Sequence, residues 1–419
     1  MKKPVSFLQM LVVNTYWVGL SFMWNGLHGI ILPAVIANIV PGDEKNTYLG
    51  VLTSIGLVIA VIIQPLSGAL SDSWASRWGR RRPWITLGTL FDFLFLAIIG
   101  WAGGLTWIFI GYLGLQLSSN IAHGPTQGLL PDVVPQEQLA QASGLKIFID
   151  MGSAAAAVII TGILLGSKAE YARLVMALII GILFVSAAVT IFGTPEQPSQ
   201  RADRAARSKE MFTSFRIDFR ANTAYWWLIA QRFVFLLGVY GIQAFAQNYL
   251  RDVLNVADPP RDTGILLGIV TITLIVFAAA GGWLIQRWGM RRVLVTASMV
   301  AALGSILLWF GRTQGTILIF GSILGAGAGL FLTANWTLAN KLAPPDEAGK
   351  YLGLTNLATA GAGVVARAAG ALWDLFNNAA PGSWNGYMIL FFSAGVFALI
   401  SIALIGMIEP SSKRVSVAS

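Results

Sequence analysis

Twelve apolar runs of about twenty residues recur along the chain, at 7–38, 48–70, 84–102, 105–128, 139–165, 171–193, 224–249, 263–285, 293–310, 314–340, 351–376 and 385–408. Each is long enough to cross roughly 30 Å of hydrocarbon as a helix. Short polar or Pro/Gly punctuation separates them, and nothing of soluble-domain size is left over. A segment in hydrocarbon has to satisfy its own backbone. Runs this long do so as helices, not as the short alternating strands of a membrane barrel. The chain therefore reads as an all-α membrane protein. Only 11% of its 419 residues are charged, against about 25% in an ordinary soluble domain. The first run is preceded by MKKPVS and lacks a small-residue cleavage pattern, so it reads as a retained span and not a signal peptide.

A net charge of +9 would suit nucleic acid, but the basic residues sort by loop. Nineteen of the 28 lysines and arginines fall on one side, among them Arg77, Arg80, Arg81, Arg82, Arg287, Arg291 and Arg292. Six (Lys45, Lys168, Arg173, Arg251, Arg261 and Arg312) fall on the other, and Lys146, Arg232 and Arg367 lie inside spans. The positive-inside rule then puts both termini in the cytoplasm of a chain sitting in the cell (inner) membrane, and the even span count agrees. The expected partners are the bilayer, a small molecule and a proton or other cation. No nucleic acid is expected, and the chain reads as a monomer. The absence of cysteine excludes disulfides, thiolate metal sites and a cysteine nucleophile. There is no P-loop, HExxH or GxSxG element, and the two histidines lie in different spans without a ligand cluster, so neither an enzyme, a metal nor a cofactor is expected.

The longest polar stretch, with Pro195, Pro198 and six basic residues, leaves six spans on each side. It divides the chain into an N-terminal six-helix bundle at 1–193, a cytoplasmic linker at 194–222 and a C-terminal six-helix bundle at 223–419. An internal repeat supports that division. RWGRRR at 77–82 returns as RWGMRR at 287–292, offset by 210, while Pro135, Gly144-Leu145 and Gly152 return at Pro344, Gly353-Leu354 and Gly361, offset by 209. Parallel six-helix halves are a transporter architecture. Gly321, Gly325 and Gly329, with the alanines at 154–157, have the spacing of close helix packing.

Between spans two and three stands GALSDSWASRWGRRRPWI, with Gly68, Asp72, Arg77, Gly79, Arg80 and Arg81; between spans eight and nine stands GGWLIQRWGMRRV, with Arg287, Gly289 and Arg291. Both are similar to the signature loop of the major facilitator superfamily. The resemblance implies a fold of twelve helices in two six-helix bundles, with this loop as a gating latch. Physically, Gly68 would let two helices approach closely and Asp72 would pair with the arginines. In the second copy the acid position is Gln286, so that latch should be weaker. The first copy carries four extra residues, and SRWGRRRPWI resembles the loop of glycoside-pentoside-hexuronide and sucrose carriers. That likeness implies a sugar or glycoside moved with a cation. Those carriers use acids in helices two and four, where this chain has Gln64 and a set of amides with His123.

Polar residues recur at helical spacing along particular spans. In span one Asn14, Trp17, Ser21, Asn25 and His28 share a face, and in span four Tyr112, Gln116, Asn120, His123 and Gln127 do, with Ser119 beside them. Tyr240, Gln243 and Gln247 do so in span seven, and Gly329, Thr333, Trp336 and Asn340 in span ten. In lipid such stripes face protein or a water-filled cavity. The resemblance implies the latter, because these spans line the superfamily's central cavity. Amides and hydroxyls mixed with aromatic rings suit an uncharged polyhydroxylated ligand, and interhelical hydrogen bonding is the plainer use of the same residues. The histidines titrate near neutrality, so they are candidate proton carriers as well as ligand or packing contacts. Five ionisable groups lie within spans. Lys146 and Asp150, four apart, can pair on one helix face. Asp92, in LFDFLF, has no partner nearby in sequence and is a candidate for carrying a coupled proton. Arg232 and Arg367 would meet either a negative group on a ligand or an acid on another helix. The expectation is a secondary transporter working by alternating access on a sugar or glycoside with protons. An exporter of amphipathic compounds is the alternative, ahead of a non-transporting receptor or scaffold.

Overall fold

The computed structural model describes residues 4–74, 76–166, 171–194, 196, 222–344 and 348–408. Apart from Thr194, Glu196 and Asn222, the linker expected at 194–222 lies outside the described residues, among which no strand occurs. The helices are α1 (Phe7–Ile39), α2 (Lys45–Asp72), α3 (Arg82–Ala102), α4 (Leu105–Val133), α5 (Leu139–Leu165) and α6 (Ala172–Gly193). They continue as α7 (Thr223–Asp252), α8 (Pro259–Trp288), α9 (Met290–Phe310), α10 (Gln314–Leu342), α11 (Ala348–Ala368, resumed after Ala369 as Gly370–Ala379) and α12 (Asn385–Ile405).

Ten of these helices are long and apolar enough to span a membrane by length and composition alone, among the described residues. The two that are not, α4 and α11, have a physical reason to fall short. Helix α4 carries Gln116, Ser118, Ser119, Asn120, His123 and Gln127, and α11 carries Arg367 and Asp374 around its break. Most span hydroxyls are accommodated locally. Thr53, Thr126 and Thr161 each donate to the carbonyl four residues back, at 2.6, 2.8 and 2.6 Å, which satisfies them without water. Large apolar side chains such as Leu66, Leu90, Phe184, Phe192 and Ile319 point outward and are exposed, as suits a lipid solvent.

By packing, the chain forms two compact units, Met1–Thr213 with Ala244–Gly268, and Ser214–Gln243 with Ile269–Ser419. In the first, α2 and α4 touch backbone to backbone. The sequence places the enabling glycine at Gly68. In the structure a Cβ on Gly68 would meet Gly124 O at an ordinary 3.6 Å, whereas one on Gly124 would overlap Gln64 O and Ser67 Oγ and come within 2.7 Å of Gly68 N. The steric requirement thus lies on the partner, because Gly124 is the residue whose Cβ position points at the other backbone. Ser67 Oγ donates to Asn120 O at 2.8 Å across this contact. Helix α1 is irregular at Thr15, and α6 repairs it: Tyr16 N–H donates to Thr190 Oγ1 at 2.9 Å, and that hydroxyl donates to Val12 O at 2.9 Å.

The stretch 244–268 joins this unit through specific contacts. Lys45, expected in a loop, instead opens α2 and is buried, its Nζ 2.5 Å from Asp252 Oδ1. Asn248 Nδ2 donates to Asn46 Oδ1 at 2.8 Å, and Gly264 packs on Gly162, where a Cβ on Gly162 would fall 2.7 Å from Pro260 O. In the second unit, Gly325 and Gly329 face the α8 backbone at Val270 O and Leu274 O, and Gly327 faces Ala301 N of α9 at 2.5 Å from its Cβ position. Ser298 and Ser401 join α9 to α12 at 2.8 Å. Tyr225 Oη donates to Tyr351 O at 2.8 Å, tying α7 to α11 in a buried cluster with Leu228, Ala339 and Ala343.

Candidate functional site

The stripes on α1 and α4 meet within the first unit. Gly56 of α2 leaves room for the Tyr112 ring, since a Cβ there would come within 2.8 Å of Gln116 Cγ and 2.9 Å of Tyr112 Cζ. Asn120 Nδ2 donates to Gln116 Oε1 at 3.2 Å, Gln116 Nε2 donates to Tyr112 Oη at 2.7 Å, and Tyr112 Oη lies 2.8 Å from His28 Nε2. Hydrogen-bonded in series, these side chains polarise one another. The His28 ring stacks on Trp24, with centroids 5.1 Å apart and planes at 24°. His28 sits in a π-helical turn, Leu27–Ile31, a backbone irregularity frequent at functional sites.

A second group lies on the same two helices and α5. Trp17 meets His123 edge-on at 5.1 Å, and Gln127 Nε2 lies 3.5 Å from His123 Nε2. Lys146 Nζ lies over the Trp17 ring, 3.7 Å from its centroid, and 3.7 Å from Asp150 Oδ2. Ser21 Oγ donates to Asp150 Oδ1, and Asn25 Nδ2 donates back to Ser21 O at 2.9 Å. The carboxylate of Asp150 is therefore held by a hydroxyl and an ammonium, with its side chain 36% exposed. Asp92 stands apart from these residues. It is fully buried on α3 and receives a hydrogen bond from Ser118 Oγ at 2.5 Å, while its Oδ2 has no hydrogen-bond partner.

In the second unit Tyr240 and Gln243 are half-buried on α7, Trp336 is 40% exposed on α10, and Asn340 donates to Trp336 O on its own helix at 2.8 Å. Gln247, which packs with the first unit, is buried with both side-chain polar atoms unpartnered. Arg367 Nη1 bonds back to Gly363 O at 3.3 Å. Arg232 donates from Nε to Thr359 Oγ1 and from Nη1 to Asn335 Oδ1, both at 2.8 Å.

The loop between α2 and α3 is a built network. Arg81 is 5% exposed. Its Nε donates to Asp132 Oδ2 at 2.9 Å, its Nη1 to Ser71 Oγ at 2.5 Å and Gly68 O at 3.1 Å, and its Nη2 to Asp72 Oδ1. Gly128 leaves space for this guanidinium, since a Cβ there would lie 2.9 Å from Nε. Arg80 also binds Asp132, through Nε at 2.9 Å and Nη2. Burial opposes the Arg80 charge, but Asp132, Asp72 and Glu196 outweigh it and hold the guanidinium above the ordinary arginine value. Glu196 caps the start of α3, accepting from the backbone N–H of Arg80 at 2.9 Å, Arg81 at 2.8 Å and Arg82 at 3.2 Å, where unpaired N–H groups and the helix dipole favour a carboxylate. Gly79 has φ +95°, and any Cβ there would overlap that carboxylate. Its repeat partner Gly289 has φ +84°. Arg77, Arg287 and Arg291 are exposed, Arg287 over the Trp283 ring at 5.4 Å.

Trp24, Asp132 and Glu196 were not apparent from sequence. Trp24 could have been found by its spacing of four from His28. Asp132 and Glu196 carry no local signal, because the residues they hold lie 52 and 116 positions away.

Twelve helices among the described residues, ten of them long and apolar enough to cross a membrane, with buried polar faces and a charged loop between α2 and α3, fit a multi-pass membrane protein. Residues 4–367 match the family model described as Major Facilitator Superfamily, and the chain belongs to that family. Among its relatives is "Sucrose transport protein SUC4" of Arabidopsis thaliana, 26% identical over 152 residues, a match spanning 32% of this chain but only 29% of the relative. "Tetracycline resistance protein, class G" of Vibrio anguillarum is 26% identical over 397 residues, 88% of this chain and 91% of the relative. The crystal structure of a D-xylose-proton symporter shares the fold, with a TM-score of 0.76 at 12% identity over 97% of this chain and 99% of that one.

Proposed function

We propose that the chain is a secondary active transporter that moves a sugar or glycoside together with protons by alternating access. In this reading it is a monomer in the cell (inner) membrane with both termini cytoplasmic, and its functional halves are 1–193 and 223–419, joined by the linker 194–222. The observation that carries the reading is the α1–α4 cluster: aromatic faces at Trp17 and Trp24 beside a chain of donors and acceptors from Asn120 to His28. A sugar offers the matching surfaces, an apolar ring face and a rim of hydroxyls. The likeness to a sucrose transport protein and to a D-xylose-proton symporter points the same way.

Coupling is assigned to Asp150. Its carboxylate is reachable and is shared by Ser21 and Lys146, with Lys146 lying on Trp17. Protonating it would release Lys146 and loosen Trp17 at the substrate face, which joins proton to ligand. Asp92 is sealed behind Ser118 and lacks such a link. Equilibrium binding of labelled sucrose to the purified protein tests the site. Trp24→Ala should weaken binding by about tenfold, the loss of an aromatic contact worth on the order of 1 kcal/mol plus its buried area. Unchanged sucrose affinity in Trp24→Ala would remove the cluster from the substrate path.

The tetracycline-resistance relative, which matches most of the chain, favours a second reading, an exporter of amphipathic compounds. Saturable binding of tetracycline, with none of sucrose, would select it.

A further inference from the structure

The second unit holds a buried cation with which no carboxylate pairs among the described residues. Arg232 is 7% exposed. Its hydrogen-bond partners, Thr359 and Asn335, are neutral, and Asn335 is itself held by donating from Nδ2 to Gln231 Oε1 at 3.2 Å. The Trp336 ring lies 5.8 Å from the guanidinium. Among the described residues no carboxylate pairs with Arg232, and its Nη2 makes no hydrogen bond. Beside it, Gln231 is fully buried and its Nε2 has no acceptor.

The repeat sharpens the contrast. At the offset of 209, Thr359 occupies the place of Asp150. In the first unit that place holds a carboxylate with its own lysine; in the second both members of the pair are threonines, Thr355 and Thr359, and Thr359 instead accepts from Arg232 of α7. An uncompensated charge in a protein interior within the membrane is expensive and is retained for function. Packing does not explain it, because a neutral amide could make the same two hydrogen bonds to Thr359 and Asn335. The Arg232 guanidinium, with Nη2 left over, lies 5.8 Å from an indole that is 40% exposed. That arrangement fits an oxyanion on an amphipathic or polyhydroxylated ligand.

We infer that Arg232 is the anion-recognising residue of the transported ligand, which carries a carboxylate or phosphoryl group. The inference rests on the transport reading above and adds that the cargo is acidic.

The test is thermal stabilisation of the purified full-length protein by matched neutral and anionic ligands, sorbitol with gluconate and glucose with glucose 6-phosphate, plus benzoate as a carboxylate without a sugar. One anionic member should bind at least tenfold more tightly than its neutral match. Gluconate ahead of glucose 6-phosphate identifies the group as a carboxylate, and the reverse order as a phosphoryl. Arg232→Gln should erase the preference and Arg232→Lys should keep part of it. Without ligand, Arg232→Gln should melt no lower than the wild type, because an unpaired buried charge has been removed. If benzoate binds in an Arg232-dependent way and no polyol or sugar binds, the anion site stands and the sugar reading falls. Equal binding of neutral and anionic members, or a melting loss in Arg232→Gln with the preference intact, would overturn the inference and leave Arg232 a structural residue.

Discussion

Replacing Gly124 by alanine is expected to destabilise the folded chain by about 3 kcal/mol, the upper end of overpacking costs, because the new methyl meets backbone and not a side chain that can swing away. It would overlap Gln64 O and approach Gly68 N, so α2 and α4 must separate. Separation also breaks the Ser67 Oγ to Asn120 O bond and disturbs the Tyr112 ring seated against Gly56. Gly68→Ala provides the contrast at the same crossing, since its methyl would rest at 3.6 Å from Gly124 O. It should change stability by less than about 0.5 kcal/mol. Thermal melts of both variants in detergent decide the matter. Equal melting temperatures would mean that the α2–α4 contact is looser than described.

Arg81→Met should cost a similar amount, about 3 kcal/mol, at the low end for breaking a buried ion pair because the Asp72 side chain is 44% exposed. Methionine keeps much of the volume but leaves Asp132 and Asp72 with Arg80 as their shared cation, with Ser71 Oγ and Gly68 O each losing the bond from Arg81. Arg81→Lys should rescue little, since one ammonium cannot span four acceptors arranged around a planar fork. A Lys variant as stable as the wild type would show that charge alone, without the fork geometry, holds the loop.

The spans and their order were readable because hydrocarbon imposes a single solution on the backbone, and twenty apolar residues advertise it. The repeat was readable for a similar reason: Gly79 and Gly289 both adopt φ values that side chains avoid, which keeps the glycine at both places. The α1 and α4 stripes were visible from spacing, and the structure brings them together at His28 and Tyr112. What was not readable depends on distance along the chain or on backbone detail. Asp132 and Glu196 look like ordinary loop acids until the fold places them on Arg80 and Arg81. Lys45 looks like a loop cation until Asp252 arrives from more than two hundred residues away. The π turn around His28 follows no residue pattern, and Gly124 was overshadowed by Gly68, which belongs to the motif while Gly124 supplies the space.

The most direct test is uptake of a panel of labelled sugars and sugar acids into proteoliposomes, with and without an imposed inward proton gradient, for wild type, Asp150→Asn and Asp92→Asn. The account predicts accumulation that requires the gradient, collapses with a protonophore, is lost in Asp150→Asn and survives in Asp92→Asn. Uptake indifferent to the gradient, or gradient-driven movement of tetracycline with no sugar carried, would contradict it.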